Sequence, residues 1–524
     1  MRLPSVLPCV NRRRFMTGAL VLGASQLALP WLRAAAQPRL SANPFTLGVA
    51  SGYPLPAGVV LWTRLAPTPL LPGGGMPAEI VRVEWEVATD ERMSRLVRRG
   101  TTAASPEWAH SVHVEVDGLE PARWYWYRFR AAGATSPVGR TRTAPAAGAG
   151  VDRLRYAFAS CQHWEYGHFN AYRGMIADDL DLVVFVGDYI YEYASGRGQV
   201  RPHGLSEAIT LDDYRQRYAL FKTDPDLKAA HAACPWIVTW DDHEVSNDYA
   251  DDRSEQLHPR EWFLARRAAA YRAYYEHMPL RRHMVPLGPQ ARLYHRVAFG
   301  DLAQFHLIDD RQYRSHQPCA PAGRGGSTIV EECADRLDPR LTMLGDTQER
   351  WLEYELDRSR ARWNVIAQQT LMAQLDRKPG PGAQFWTDGW DGYPVARRRL
   401  LEYLGKRKPT NPVVIGGDVH TFWVTDLKPD FDDPRSPVVA TEFVGGSITS
   451  PASARMARAD AMLADNPHIR FVNVTRHGYV LMEATRERLR AELRAVRTIT
   501  QPSAETETLA TFVVEDGHPG ARRA

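Results

Sequence analysis

Four short apolar runs in this chain each end in side chains that bind cations. Phe158-Ala159 leads into Ser160-Cys161-Gln162, and Leu180 to Val186 leads into Gly187-Asp188-Tyr189-Ile190-Tyr191-Glu192. Trp236 to Thr239 leads into Trp240-Asp241-Asp242-His243-Glu244, and Pro412 to Ile415 into Gly416-Gly417-Asp418-Val419-His420. Together they offer a thiol, carboxylates, phenols and imidazoles. Carboxylates with a phenolate suit a hard ferric ion, carboxylates alone suit Ca²⁺ or Mn²⁺, and imidazole suits several metals. Ions held this way neutralise anionic oxygens and activate water. Each motif alone has a plainer reading, as a turn, a solvated loop or a buried inert thiol. Four in succession, each closing an apolar run, are read as one metal site. No Cys-x-x-Cys is present to support redox chemistry, and neither Ser160 nor Ser447 has an adjacent general base.

The elements that position these residues follow from their pattern. Continuous apolar runs separated by helical stretches predict an α/β unit over 153–500, its strands buried on both faces. Ligands in such sheets bind beyond the carboxyl ends of the strands, so the four ends are expected to converge. A further run, Phe305 to Ile308, ends in Asp309-Asp310-Arg311. Residues 42–145 read differently. Val81-Arg82-Val83-Glu84-Trp85-Glu86-Val87 alternates apolar with charged, and Trp124 to Arg130 is rich in aromatics, so a small all-β sandwich of immunoglobulin or fibronectin type is expected. An Ala/Pro/Gly-rich linker, 143–151, joins the two. Residues 501–524 are expected as a C-terminal tail, frayed and polar from Glu515 to Ala524.

A chain of 524 residues implies two to four units. The net charge of +4 is spread without a long basic run, which excludes a nucleic-acid-binding module. Asn11-Arg12-Arg13-Arg14-Phe15-Met16, a modest apolar stretch and Ala34-Ala35-Ala36 resemble a twin-arginine export signal over 1–36. The twin-arginine translocase is then a partner during export, the mature chain is periplasmic or secreted, and no membrane span remains after cleavage. In an oxidising compartment, Cys319 and Cys333 are candidates for a disulfide. Closing a loop of about 15 residues gains roughly 3 kcal/mol.

The motif order Ser-Cys-Gln, Gly-Asp-Tyr-Ile-Tyr-Glu, Trp-Asp-Asp-His-Glu and Gly-Gly-Asp-Val-His resembles the PhoD-like alkaline phosphatases, a branch of the calcineurin-like metallophosphatases. Asp310-Arg311-Gln312-Tyr313-Arg314, Glu442 to Ser450 and Phe45 to Gly52 add to the resemblance. It implies a metallophosphatase-type α/β sandwich behind the β domain, and a secreted phosphomonoesterase acting by direct attack of activated water. It also implies Fe³⁺ and Ca²⁺. Cys161 would be a thiolate ligand of iron, Asp188 the bridging carboxylate and Tyr191 the phenolate ligand. Tyr189 and Tyr193 are set aside because the match falls on the third residue after Asp188. Asp242, Asp418 and His420 complete the expected ligands, with Asn247 a candidate addition. His243 is expected near the leaving group, and Arg311 as the clamp on the substrate phosphate, set against a structural ion pair. The commoner Asp-x-His opening and Gly-His-x-His ending are absent, which disfavours a dizinc or dimanganese enzyme. A phosphodiesterase or phospholipase with the same site, and a non-catalytic binding protein, are the alternatives.

Overall fold

The computed structural model describes residues 40, 42–196, 198–453 and 459–524; the expected export signal, 1–36, lies outside them. Two large sheets carry the fold. One has ten strands, in the order His518–Arg523, Thr506–Glu515, Arg488–Val496, His477–Thr485, Arg153–Ala159, Leu182–Val186, Trp236–Thr239, Val49–Leu55, Gly58–Arg64, Ser111–Asp117. The other has seven, in the order His295–Phe299, Ala303–Leu307, Trp363–Ala367, Pro412–Gly416, Ala440–Val444, Phe422–Leu427, Ile469–Asn473. Parallel strands form the middle of each.

The sequence explains the parallel centres. Leu182-Val183-Val184-Phe185-Val186 and Pro412 to Gly416 are buried along their whole length, as strands covered on both faces must be. Phe158 and Val184 from one sheet share a core with Phe305, Val365 and Val413 from the other, so the sheets lie face to face. The outer face of the seven-stranded sheet is covered by helices Gly345–Arg358 and Pro394–Arg407, through Leu352, Leu356, Leu400 and Leu404. Among the described residues no helix is long and apolar enough to cross a membrane.

Residues 49–142 make two facing β layers around Val59, Leu61, Val83, Val114, Tyr127 and Phe129. One of these layers is not separate. Val49–Leu55 pairs in parallel with Trp236–Thr239, so three strands of the N-terminal region continue the ten-stranded sheet. Gly52 permits that join, since a Cβ there would meet the Trp236 carbonyl oxygen at 2.6 Å. The C-terminal expectation needs correction. Residues 506–515 and 518–523 are strands at the edge of the ten-stranded sheet, not a frayed tail. Ala510, Phe512 and Val514 are buried at every second position, a short period-2 signal diluted by flanking Thr and Glu. Cys319 and Cys333 form a disulfide, while Cys161 and Cys234 are free and buried.

Candidate metal centre

Where the apolar strands run out, the chain turns sharply. Cys161 (φ 60°), Asp188 (φ 54°), Asp418 (φ 62°) and His420 (φ 57°) all adopt left-handed backbone. Non-glycine residues held there cost on the order of 1–3 kcal/mol each and concentrate at functional sites. Hydrogen bonds fix them. Cys161 N donates to Gly187 O (3.1 Å) and Gln162 N to Asp188 O (3.1 Å). The buried Glu244 carboxylate accepts from Asp188 N (3.1 Å), Tyr189 N (2.5 Å) and Asp241 N (2.8 Å), tying two strand ends together. Gly187 (φ 109°) has to be glycine, because a Cβ would meet Asp241 N at 2.8 Å.

The ends converge. Among the described residues, three groups of side chains place ligand atoms within 4.8 Å of one another: Cys161, Asp188 and His420; Asp188, Asp242 and His243; Asp241, Asp242 and Asp418. Asp188 joins the first two groups and Asp242 the last two. Tyr191 Oη donates to Asp188 Oδ2 (2.8 Å) and lies 3.2 Å from His420 Nε2. Tyr189 is turned away, with its hydroxyl 2.7 Å from His231 Nε2. His420 Nδ1 donates to the Pro451 carbonyl (2.8 Å), which leaves Nε2 as the lone-pair nitrogen facing Asp188.

This arrangement suits cations. Asp188 Oδ1, Asp241 Oδ2 and Asp418 Oδ2 are buried with no hydrogen-bond partner, and such orphaned oxygens are costly unless an ion takes them. The electrostatics agree. Burial, then Asp188, holds the Cys161 thiol well above its ordinary pKa, and burial, Asp188 and Cys161 do the same to Tyr191. Burial and the neighbouring Asp242, Asp388 and Asp188 push Asp418 up to about 6 against the pull of Arg311. Asp241 is raised well above the carboxylate range by burial and by Asp242 and Asp418. Burial also works to raise Asp242, but Arg311 and His243 override it and hold it low. A negative pocket that retains its protons this way is relieved by a positive ion.

His243 lines the pocket beside these groups. Glu192 holds its Nδ1 at 2.8 Å and also accepts from Asn247 N (2.7 Å). Burial alone would lower the imidazole's pKa; Asp242, Asp188 and Glu192 outweigh it and raise it well above the ordinary value. The Tyr191 ring sits between the rings of His163 (4.3 Å) and His243 (4.2 Å), and Ser450 Oγ donates to its hydroxyl (2.6 Å).

Arg311 forms the structural ion pairs that stand against the phosphate clamp in the sequence reading. It is 1% exposed, with Nε 2.5 Å from Asp241, Nη1 2.6 Å from Asp388, and Nη2 3.7 Å from Asp242 and 3.9 Å from Asp418. Its Nε and Nη1 are committed to Asp241 and Asp388, and its Nη2 faces Asp242 and Asp418 of the ligand groups, the arrangement of a structural ion-pair hub. Two residues were missed. Asp241 sits inside the Trp-Asp-Asp-His-Glu motif, but one aspartate there sufficed for the expected ligand set. Asp388 follows no buried run, and nothing in its neighbourhood marked it.

A family model for PhoD-like phosphatase matches residues 156–493, and one for the PhoD-like phosphatase N-terminal domain matches residues 32–145. Alkaline phosphatase D of Bacillus subtilis (strain 168) is 46% identical over 526 aligned residues, covering 98% of this chain and 89% of that protein. A solved structure described as "Structure of PhoD" superposes with a TM-score of 0.88 at 46% identity, covering 93% of each chain. The matched span contains all four strand ends and the pocket beside them, and the chain belongs to the PhoD-like phosphatase family.

Proposed function

We propose that this chain is a metal-dependent phosphoric ester hydrolase of the alkaline phosphatase kind, exported by the twin-arginine route, with Fe³⁺ and Ca²⁺ as its ions. The observation that carries this reading is the linked set of three ligand groups, sharing Asp188 and Asp242, four of whose members, Asp242, His243, Asp418 and His420, line one pocket. In the proposed assignment Cys161, Asp188, Tyr191 and His420 hold iron, and Asp188, Asp242 and Asp418 hold calcium, with Asp241 as an added ligand. Ions held there supply charge neutralisation for the phosphoryl oxygens and activation of water. His243, charged and oriented through Glu192, then offers a proton from Nε2 to the departing alcohol oxygen. Arg311 holds Asp241 in place and keeps Asp242 ionised.

The test is the hydrolysis rate of 4-nitrophenyl phosphate beside bis(4-nitrophenyl) phosphate, at mildly alkaline pH with both ions supplied. Faster monoester cleavage supports the phosphomonoesterase reading. Faster diester cleavage transfers the same site to a phosphodiesterase, and no cleavage of either contradicts catalysis altogether.

Two further outcomes belong to this assignment. Replacing Tyr191 by Phe removes the visible phenolate-to-iron colour; an absorption band that survives contradicts Tyr191 as the ligand. The raised Cys161, Tyr191, Asp241 and Asp418 must also lose protons when an ion binds. Cation affinity therefore rises with pH, and loading releases protons. Titration calorimetry in buffers of different ionisation enthalpy counts them, and a count of zero refutes this electrostatic picture.

A further inference from the structure

The pocket over the ligand groups encloses about 190 Å³ and has two unlike halves. One half is charged, made by Asp242, His243 and His420. The other is walled by Trp386 and Ile329, both half-buried, with the Arg377 guanidinium 5.4 Å from the indole centroid. Cation binding has no use for an indole there.

The wall is built with care. Ile329–Val330 and Phe385–Trp386 pair antiparallel as a two-stranded sheet separate from both large ones, with Ile329 opposite Trp386. A ribbon that short does not hold itself. Thr387 N donates to Thr328 O (2.9 Å), Thr328 N to Thr387 Oγ1 (2.9 Å), and Ser327 N to Asp248 Oδ2 (2.9 Å) on the pocket rim. The Arg336 guanidinium lies 4.0 Å from the Phe385 ring centroid. The Cys319–Cys333 disulfide closes the loop that carries Ile329. Two residues beyond Trp386, Asp388 grips Arg311, so the indole is fixed relative to the ligand groups.

We propose that Trp386 and Ile329 form the subsite for the organic group of the phosphate ester, that this subsite prefers a planar aromatic group, and that the Cys319–Cys333 disulfide holds it in register. The inference rests on the phosphoesterase reading above. A flat ring stacks on the indole face and gains beyond its buried area, whereas a short alkyl group gains little.

The experiment compares kcat/KM for phenyl and ethyl esters of whichever phosphate class the metal-loaded wild-type chain turns over. In parallel, calorimetry measures binding of phenylphosphonate and ethylphosphonate, which requires no turnover. Trp386→Ala is expected to lower the phenyl-over-ethyl ratio about tenfold through KM, and to lower the phosphonate preference alike. Trp386→Phe keeps most of that preference, and the Cys319→Ser/Cys333→Ser double variant lowers it several-fold with bound metal unchanged. An unaltered preference in Trp386→Ala, or equal losses for both esters through kcat, overturns the subsite. If the wild type cleaves no ester, the functional reading fails on that result alone, while the phosphonate pair still decides whether Trp386 selects the aromatic group.

Discussion

Asp188→Asn abolishes hydrolysis and empties the centre of at least one ion. Asp188 is the carboxylate common to two of the three ligand groups, and its Oδ1 has no other partner. The amide keeps the shape but loses the charge that both groups share. Loss of one such electrostatic group commonly costs 10²–10³ in rate, and a shared one is expected to cost on the order of 10³-fold or more in kcat/KM. Asparagine is the informative replacement for a structural reason. Asp188 has φ 54°, a left-handed conformation that Asn tolerates well, and its backbone N–H to Glu244 is untouched. The variant therefore folds as the wild type does, and in chelator it unfolds at no lower denaturant concentration, since one buried negative charge has gone. Metal analysis beside steady-state rates checks this. Activity within a few fold of wild type, with metal content intact, removes Asp188 from the centre.

The positions of Cys161, Asp188, Asp242, Asp418 and His420 were legible because the local signal and the global rule agree. A buried parallel strand admits no polar residue until it ends, so the first polar residues after each run mark its carboxyl edge, where sites form. Tyr191 was separable from Tyr189 only through the family resemblance, because two aromatics two residues apart in a loop carry no periodicity to tell them apart. The strands of residues 506–523 were obscured for another reason. A strand next to the sheet edge with one solvated face needs few apolar residues, and Ala510, Phe512 and Val514 are too few to stand out among polar neighbours.

The ion-pair alternative for Arg311 was legible, but its partners lay beyond any local reading. A guanidinium near a phosphate site invites a bidentate clamp, and only the fold reveals that carboxylates reach it first from elsewhere. Asp241 and Asp242 come from the end of Trp236–Thr239, Asp388 from the short ribbon bearing Trp386, and Asp418 from the end of Pro412–Gly416. Those residues lie between 69 and 107 positions away in the chain, counted from Arg311 to Asp242 and to Asp418. The same pairing joins the aromatic wall to the ligand groups, since Asp388 is held by Arg311 on one side and by Gln317 Nε2 (2.8 Å) and Arg314 (3.4 Å) on the other.

Arg311→Met is accordingly a stability variant before it is a catalytic one. Methionine fills much of the volume but leaves buried carboxylates without their cation. Asp388 retains Arg314 and Gln317, whereas Asp241 loses its only ion-pair partner among the described residues while its Oδ2 is already orphaned. Removing one partner from a buried pair costs about 3–5 kcal/mol. In chelator, the urea midpoint is expected to fall by the equivalent of that range. With saturating Ca²⁺ the deficit narrows, because an ion bound among Asp241, Asp242 and Asp418 restores positive charge where the guanidinium stood, by ordinary binding linkage. A clamp on the substrate predicts the reverse: wild-type stability in chelator, and a loss confined to a raised KM. The urea midpoint measured with and without the ion therefore decides between the two roles independently of turnover.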